Sequence, residues 1–192
     1  MRLPAVAAGV VCVVLLCGAV HAATVTVTNT VDSDDGYYFA PAGVVLDHPP
    51  YYRGSWEDWG WSHDLTTVPA GAQGILSATL SISAWDVDYY EGEIDVVYAN
   101  GVAIGTLDET WGRQWGTTTF SLPTSVLNDL WEDGELSIYV DVDSETGGSR
   151  VTLGSSVLTI TYTTDVVPEP ATVGLLGMGA LLALKRRRAR TC

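Results

Sequence analysis

Carboxylates that stand close together are the first residues in this sequence that could do chemistry. Five occur within the ten residues from 86 to 95, and Asp141, Asp143 and Glu145 form a second group. Ca²⁺ is bound by about six to eight such oxygens at about 2.3–2.6 Å. The spacing is not that of an EF-hand, because Glu91 stands where that loop requires glycine. The sequence therefore predicts either another type of calcium site or a solvated acidic surface. The candidate ligands are Asp86, Asp88, Glu91, Glu93, Asp95, Asp141 and Asp143.

Aromatic rings beside polar side chains form the second pattern, in the segment from Tyr51 to Asp64. A sugar ring stacks its apolar C–H face on an aromatic plane, and neighbouring polar groups bind its hydroxyls. The segment from Trp111 to Trp115 repeats this combination around Arg113. Both segments predict a carbohydrate site, whose candidate residues are Arg53, Trp56, Trp59, Trp61, Trp111 and Trp115. In the alternative, Trp59 and Trp61 lie two residues apart on one strand and both face the core.

Catalytic motifs are scarce between residues 23 and 165. This part of the sequence holds two histidines, His48 and His63, but no thiol and no Gly-x-Ser-x-Gly, His-Glu-x-x-His or phosphate-binding glycine pattern. A glycosidase needs only two carboxylates about 5–9.5 Å apart, and 22 acidic residues leave that chemistry open. Because such enzymes are usually larger and have a long cleft, we expect a binding or structural role and no catalytic residues.

Charge is unevenly distributed along the 192 residues. Between Ala23 and Asp165 there are 22 acidic and three basic residues, a net charge of −19, and Asp32, Asp34 and Asp35 form a third acidic group. Phosphate binding needs clustered Lys and Arg, so this composition excludes nucleic acid as a partner. All three cysteines lie outside this part of the chain, so its stability must come from the core, with bound metal as a further support. Calcium is the cofactor that these patterns suggest.

The elements that position these residues are β-strands. Apolar and polar residues alternate along four runs, which are Ala23–Thr28, Leu76–Ala84, Ile94–Tyr98 and Leu136–Val142. One or two further strands begin near Val151. About eight short strands with turns every 8 to 12 residues or so predict an all-β fold, a single β-sandwich of jelly-roll type, with a β-barrel as the alternative. If the strands that end near Asp88 and Asp143 are neighbours, their carboxylates converge at one edge.

A turn and a helix complete the predicted domain. Asn100-Gly101 is typical of the two-residue turn that joins the strands of a β-hairpin. A helix of one or two turns is predicted over Pro123–Leu130, with Thr124 as its N-cap.

Both ends of the sequence differ from the part between them. Residues 1–22 contain one basic residue, an apolar stretch and small residues before a cleavage site, which predicts a Sec signal peptide. At the other end, Pro168-Glu169-Pro170 precedes an apolar run at 171–184 and a basic tail at 185–190. This run spans about 21 Å as a helix, and the long Lys and Arg stems extend it toward the roughly 30 Å of a bilayer core.

The tail of Pro168-Glu169-Pro170, apolar helix and terminal arginines resembles the PEP-CTERM sorting signal of Gram-negative bacteria. The resemblance implies export through the Sec translocon, cleavage by signal peptidase, and an inner-membrane anchor with a cytoplasmic C-terminus, as the positive-inside rule also requires. It further implies processing near Pro168 by an exosortase and a final place at the cell surface or in the extracellular matrix. Such proteins are associated with exopolysaccharide and biofilm.

A second, diffuse resemblance covers roughly residues 76–162. The phrases DVDYYEGEIDVVYANGVAIGTL, WGTTTFSLP and VTLGSSVLTITY resemble exported sandwich domains of galactose-binding-like topology, which favours the sandwich and assigns no residue a function. The predicted divisions are a signal peptide at 1–22, a β-sandwich domain at 23–165 and a sorting segment at 166–192. We expect a cell-envelope or extracellular-matrix protein whose acidic sandwich binds or scaffolds polysaccharide, with calcium as staple or bridge. The alternatives are a small secreted polysaccharide hydrolase or lyase and a purely structural surface protein.

Overall fold

The structure, a computed structural model, describes most of the chain between residues 23 and 165. The described residues are 23–41, 44, 48–54, 57–87, 94–110, 113–142, 150–165, 177 and 179–180. Those between 23 and 165 form nine strands: β1 (Ala23–Val31), β2 (Tyr52–Gly54), β3 (Trp59–Asp64), β4 (Ala72–Trp85), β5 (Val96–Ala99), β6 (Val102–Thr106), β7 (Trp115–Ser121), β8 (Glu135–Asp141) and β9 (Arg150–Thr164). They also form a 3₁₀ turn (Ser33–Asp35) and the helix α1 (Thr124–Asp133).

The strands form two antiparallel sheets, which confirms the predicted all-β class. The five-stranded sheet has the order β1-β9-β4-β7, and β2 also pairs with β9. The four-stranded sheet has the order β3-β8-β5-β6. β9 is one continuous strand that pairs with β1, β2 and β4, so it is the centre of its sheet.

The core consists of the apolar side chains on the inner faces of both sheets. Along β8, Leu136, Ile138 and Val140 are buried and alternate with more exposed residues. Leu158 and Ile160 of β9 belong to the same cluster, so the two sheets face each other across one shared core, in a β-sandwich-like arrangement. Outside the bulges, the period of two residues along the strands makes one face apolar and leaves the other for water or ligands.

The predicted hairpin turn is confirmed, and the predicted helix needs corrections at both ends, since it ends at Asp133 and not at Leu130. Asn100 and Gly101 have φ angles of 47° and 76°, as a tight turn between β5 and β6 requires. Helix α1 is capped by Pro123, which is extended (φ −71°, ψ 158°), so Thr124 is the first helical residue and not the N-cap. Gly134, at φ 72°, ends the helix and donates its N–H to the carbonyl of Leu130.

A buried polar network joins the two sheets around His63 of β3. Its Nδ1 lies 2.6 Å from Oδ1 of Asn29, and its Nε2 lies 2.8 Å from the Ser156 hydroxyl. Because the amide oxygen only accepts, Nδ1 carries the proton and Nε2 accepts from Ser156 and from the Trp61 indole N–H at 3.4 Å. Burial lowers the pKa of His63 from 6.5 to about 4, against a smaller opposing effect of Asp35, so the imidazole is neutral in the folded domain.

The outer face of the five-stranded sheet is lined by hydroxyls along β1, β4, β7 and the part of β9 from Ser155 to Thr163, and none of these outward positions is charged. Strand pairing places these residues in cross-strand rows, and neighbouring hydroxyls lie 2.9 Å apart at Ser81 and Thr119. We call this surface the hydroxyl face. It comprises Thr24, Thr26, Thr28, Thr30, Ser77, Thr79, Ser81, Ser83, Thr117, Thr119, Ser121, Ser155, Thr159, Thr161 and Thr163, with Val157 among them.

Candidate functional site

A cavity of about 510 Å³ opens on the outer side of the five-stranded sheet, near the start of β9. An aromatic ring, two carboxylates and three hydroxyls meet there. The lining residues are Asp32, Ser33, Asp34, Ser83, Trp115, Gly154 and Ser155. Ser83 and Ser155 also belong to the hydroxyl face, so the cavity is continuous with that surface.

The indole of Trp115 reaches the cavity because of a bulge in β9. Ser83 pairs with Ser155 and the next residue of β4 pairs with Leu153, which leaves Gly154 as the extra residue. A Cβ at Gly154 would lie only 2.8 Å from Cζ3 of Trp115. Glycine therefore lets the indole extend from β7 across β4 onto the backbone of β9.

The carboxylates reach the cavity from the 3₁₀ turn that follows β1. The Asp32 carboxylate accepts the N–H of Asp34 at 3.0 Å, and the N–H of Asp32 donates to the Asp35 carboxylate at 2.8 Å. This reciprocal capping box fixes the turn, and Gly36 ends it at φ 83°. The wall beside Trp115 is therefore held by local hydrogen bonds, in a segment whose sequence indicates only a third acidic group.

This combination of side chains is suited to recognising a sugar. The indole offers an apolar plane, while the carboxylates and hydroxyls can accept or donate hydrogen bonds to ring hydroxyls. The Nε1 of Trp115 is buried and has no hydrogen-bond partner among the described residues. Trp115 was a candidate from the sequence, but Ser83 and Gly154 were not, because a bulge shifts the strand register without leaving a distinctive sequence pattern.

Two other tryptophans of the predicted carbohydrate site lie in the core. Trp59 is 0% exposed and Trp61 is 3% exposed, and both rings pack edge-on against Phe39 at centroid distances of 5.4 and 5.2 Å. A sugar can stack only on an accessible ring, so this burial corrects the expectation for both residues. Their spacing of two along β3 directs them inward together, as the alternative interpretation required.

Arg53, another residue of the predicted carbohydrate site, is held by contacts with Asp58 and Trp59. Its guanidinium lies 4.4 Å from the centroid of the Trp59 ring, and its Nη1 donates to the carbonyl oxygen of Asp58 at 2.6 Å. These contacts engage Arg53 within the protein. Trp56 and Trp111 lie outside the described residues, so Trp115 is the member of the predicted set that the structure places in the cavity.

The predicted calcium ligands are only partly described. Asp88, Glu91, Glu93 and Asp143 lie outside the described residues. Of the other three, Asp86 has a backbone φ of 65°, and the side chain of Asp95 is 1% exposed. The pKa of Asp141 is raised by burial and, to a smaller extent, by the charge of Asp58.

Strand order bears on the expected convergence of these carboxylates. β4, which ends before the first group, and β8, which ends at Asp141, lie in different sheets, so they are not hydrogen-bonded neighbours. In the part of the chain that the structure describes, no three His, Cys, Asp or Glu side chains are grouped closely enough to hold a metal ion.

The predicted ends of the chain lie almost entirely outside the described residues. This applies to the signal peptide at 1–22, to Pro168, Glu169 and Pro170, and to all of the run 171–184 except Gly177, Gly179 and Ala180. Among the residues that are described, no helix has both the length and the apolar character needed to span a membrane.

Comparisons with known proteins identify the C-terminal segment. A family model described as the PEP-CTERM protein-sorting motif matches residues 166–189, and no curated protein matches the chain. Among solved structures, BuGH86 in complex with neoagarooctaose is 9% identical, with a TM-score of 0.43, over 77% of this chain and 20% of that one. Dimeric latent PorU from Porphyromonas gingivalis is 13% identical, with a TM-score of 0.43, over 78% and 13%.

The chain thus spans about a fifth or less of the length of these two structures, and similarity this low carries no argument about its activity. The family match is different, because it covers Pro168-Glu169-Pro170, the apolar run at 171–184 and most of the basic tail. It implies an exosortase as the processing partner. The chain is therefore an exported protein that carries the PEP-CTERM protein-sorting motif at residues 166–189.

Proposed function

We propose that the β-sandwich domain binds polysaccharide at the cavity beside Trp115, as part of a sorted cell-envelope or extracellular-matrix protein. The observation that carries the proposal is the meeting of an indole, two carboxylates and three hydroxyls in one cavity of about 510 Å³. Pockets that recognise sugars need both an apolar plane and a few fixed polar groups. Export through Sec and a final place among exopolysaccharide are the setting in which this binding would act.

The class of polysaccharide follows from charge. With a net charge of −19 between Ala23 and Asp165, the domain repels polyanions, so the cavity is best suited to a neutral chain. The hydroxyl face supports this choice, because a chain leaving the cavity past Ser83 and Ser155 would lie on an uncharged surface.

Strand order supports the jelly-roll form of the fold. When the short strand β2 is set aside, eight strands divide into two antiparallel sheets of four, β1-β9-β4-β7 and β3-β8-β5-β6. Sequential strands alternate between the two sheets except at the β5-β6 hairpin, an arrangement typical of jelly rolls. The fold does not itself assign the function, which depends on the site that this frame holds.

Removing the indole tests the proposal. We expect Trp115→Ala to weaken binding to exopolysaccharide from the producing strain about tenfold or more, the effect of losing roughly 1.4 kcal/mol of contact, in affinity electrophoresis. Gly154→Ala should also weaken it, because the added methyl group would lie 2.8 Å from the ring. Trp131→Ala is the matched control, since that indole is 38% exposed on α1. Unchanged binding by the Trp115 variant would contradict the assignment of the cavity, and no binding by the parent protein would favour a purely structural role.

We propose binding without cleavage. The opposing possibility, a small hydrolase or lyase, would use carboxylates such as Asp32 and Asp34 at the cavity wall. A zymogram on the same exopolysaccharide distinguishes the two, because cleared zones would contradict a binding-only role. Loss of clearing in Asp32→Asn would then assign the cleavage to the cavity.

The calcium site remains a proposal. We expect millimolar CaCl₂ to raise the melting temperature of the purified protein by about 5 °C or more relative to EDTA. A ligand at 100 times its dissociation constant contributes about 2.7 kcal/mol to a domain of this size. Equal concentrations of MgCl₂ serve as the control for ionic strength. Coincident melts in CaCl₂ and EDTA would instead support a solvated acidic surface.

A further inference from the structure

The outer face of the four-stranded sheet presents two tyrosines side by side. Tyr98 of β5 and Tyr139 of β8 are directly opposite in the strand register, and their ring centroids lie 5.9 Å apart. Tyr139 is 42% exposed. On the other side of Tyr139, β3 places Gly60, which has no side chain, directly opposite it. A Cβ added at Gly60 would contact nothing closer than the carbonyl oxygen of Ile138 at 3.9 Å. The space beside the Tyr139 ring is therefore open.

The Asp58 carboxylate stands at the Tyr139 hydroxyl, and Asp141 lies two residues after Tyr139 on the same outward face of β8. The Tyr139 hydroxyl donates to Asp58 Oδ2, and the N–H of Val142 donates to Asp58 Oδ1 at 3.2 Å. The hydrogen bond to Asp58, then burial and the charges of Asp58 and Asp141, raise the pKa of Tyr139 to about 12. Asp58 also adds to the effect of burial in raising the pKa of Asp141. The tyrosine pair therefore lies in a negative local field.

Nearby positive charge is directed elsewhere. The guanidinium of Arg53 lies over the Trp59 ring and donates to the backbone carbonyl of Asp58. Packing of aromatic rings across neighbouring strands explains the tyrosine pair by itself. It does not account for Asp141, which lies on the same outward face of β8 as Tyr139 and adds a second negative charge near Asp58. An exposed aromatic face beside carboxylates is the arrangement that recognises ammonium groups.

We propose that Tyr98, Tyr139, Asp58 and Asp141, which we call the tyrosine platform, bind a partly deacetylated hexosamine polysaccharide. One sugar ring would lie on the Tyr139 face, and its protonated amine would face the carboxylates of Asp58 and Asp141. Charge complementarity favours this occupant: the acidic domain repels polyanions, and a protonated amine beside the Tyr139 ring would supply a counter-charge to Asp58 and Asp141. This proposal rests on the four-stranded sheet and does not depend on the cavity at Trp115.

The first test compares two oligosaccharides that differ only in acetylation. Isothermal titration of the purified protein with a glucosamine hexamer should show binding, while the N-acetylglucosamine hexamer should bind at least about tenfold more weakly. Tyr139→Ala should weaken binding of the glucosamine hexamer about tenfold, and Tyr139→Phe, which keeps the ring, should retain it. Equal binding of both hexamers, or parent affinity in Tyr139→Ala, would overturn the proposal.

The second test separates the platform from general attraction of a polycation to an acidic protein. Asp58→Asn and Asp129→Asn remove the same charge, the second from the exposed surface of α1. We expect the Asp58 variant to lose about tenfold in affinity and the Asp129 variant to lose little, and equal losses would overturn the proposal. Asp141→Asn replaces the first variant if loss of the hydrogen bond to Val142 prevents folding. Trp115→Ala should keep the parent affinity for the glucosamine hexamer. A loss of affinity in this variant would assign hexamer binding to the cavity instead of the tyrosine platform.

Discussion

Trp59→Ala is expected to lower the free energy of unfolding by about 3–5 kcal/mol, the usual range for removing a fully buried tryptophan. Trp59 is 0% exposed, contacts the Phe39 ring edge-on and lies under the Arg53 guanidinium. Truncation would therefore leave a cavity and release two neighbours at once. Urea denaturation followed by circular dichroism measures the loss.

Two variants make this prediction specific. Trp59→Phe should cost clearly less, because it keeps a ring beside Phe39 and removes an Nε1 that has no hydrogen-bond partner among the described residues. Trp131→Ala removes a 38% exposed indole from α1 and should cost less than Trp59→Ala. Equal stability of Trp59→Ala and Trp131→Ala would contradict the position of Trp59 in the core.

The second large effect is a loss of stability in mild acid. Because the pKa of His63 is lowered from 6.5 to about 4, the unfolded chain takes up the proton first as the pH falls. Each pH unit in this window then costs about 1.4 kcal/mol. Between pH 6.5 and pH 4 the free energy of unfolding should fall by about 3 kcal/mol. Protonated Nε2 would also oppose the Trp61 N–H that it accepts from in the neutral form.

Urea titrations at pH 7, 5.5 and 4 measure this effect. His63→Gln should be less stable at pH 7 but lack the histidine's share of the pH dependence. His48→Gln, at an exposed position, is the control for replacing a histidine outside the core. Asp141 acts in the opposite direction, since its raised pKa makes the folded state bind the proton first. A parent and a His63 variant with the same pH dependence would contradict the buried neutral imidazole.

The fold was predictable where residue type and period agree. Alternation of apolar and polar residues along β1, β4 and β8 predicts strands, because a period of two residues directs every second side chain inward. Asn100-Gly101 predicts a tight turn, because such a turn needs two positive φ angles. The helix boundary was less predictable, since both Pro123 and Thr124 are suited to a helix start.

The candidate sites were less predictable, because they depend on strand register. The sequence around Trp59 and Trp61 fits strand β3 equally well with both rings facing inward or both facing outward. Only the packing of both rings against Phe39 shows that they face inward. The cavity depends on the one-residue shift at Gly154. Tyr98 and Tyr139 are 41 residues apart in the sequence and meet only because β5 pairs with β8.

The position of β9 sets the distance between the cavity and the C-terminal tail while that tail is still attached. Ala23 pairs with Thr164, so the domain's first and last strand residues lie at one corner, and the sorting motif begins at residue 166. Gly154 and Ser155 lie near the opposite end of β9, about 30 Å away at 3.3 Å per residue. The cavity is thus remote from the point where the chain leaves toward its tether. If the cavity binds a glycan as proposed, capture need not wait for the tether to be cut, and the two events can occur in either order.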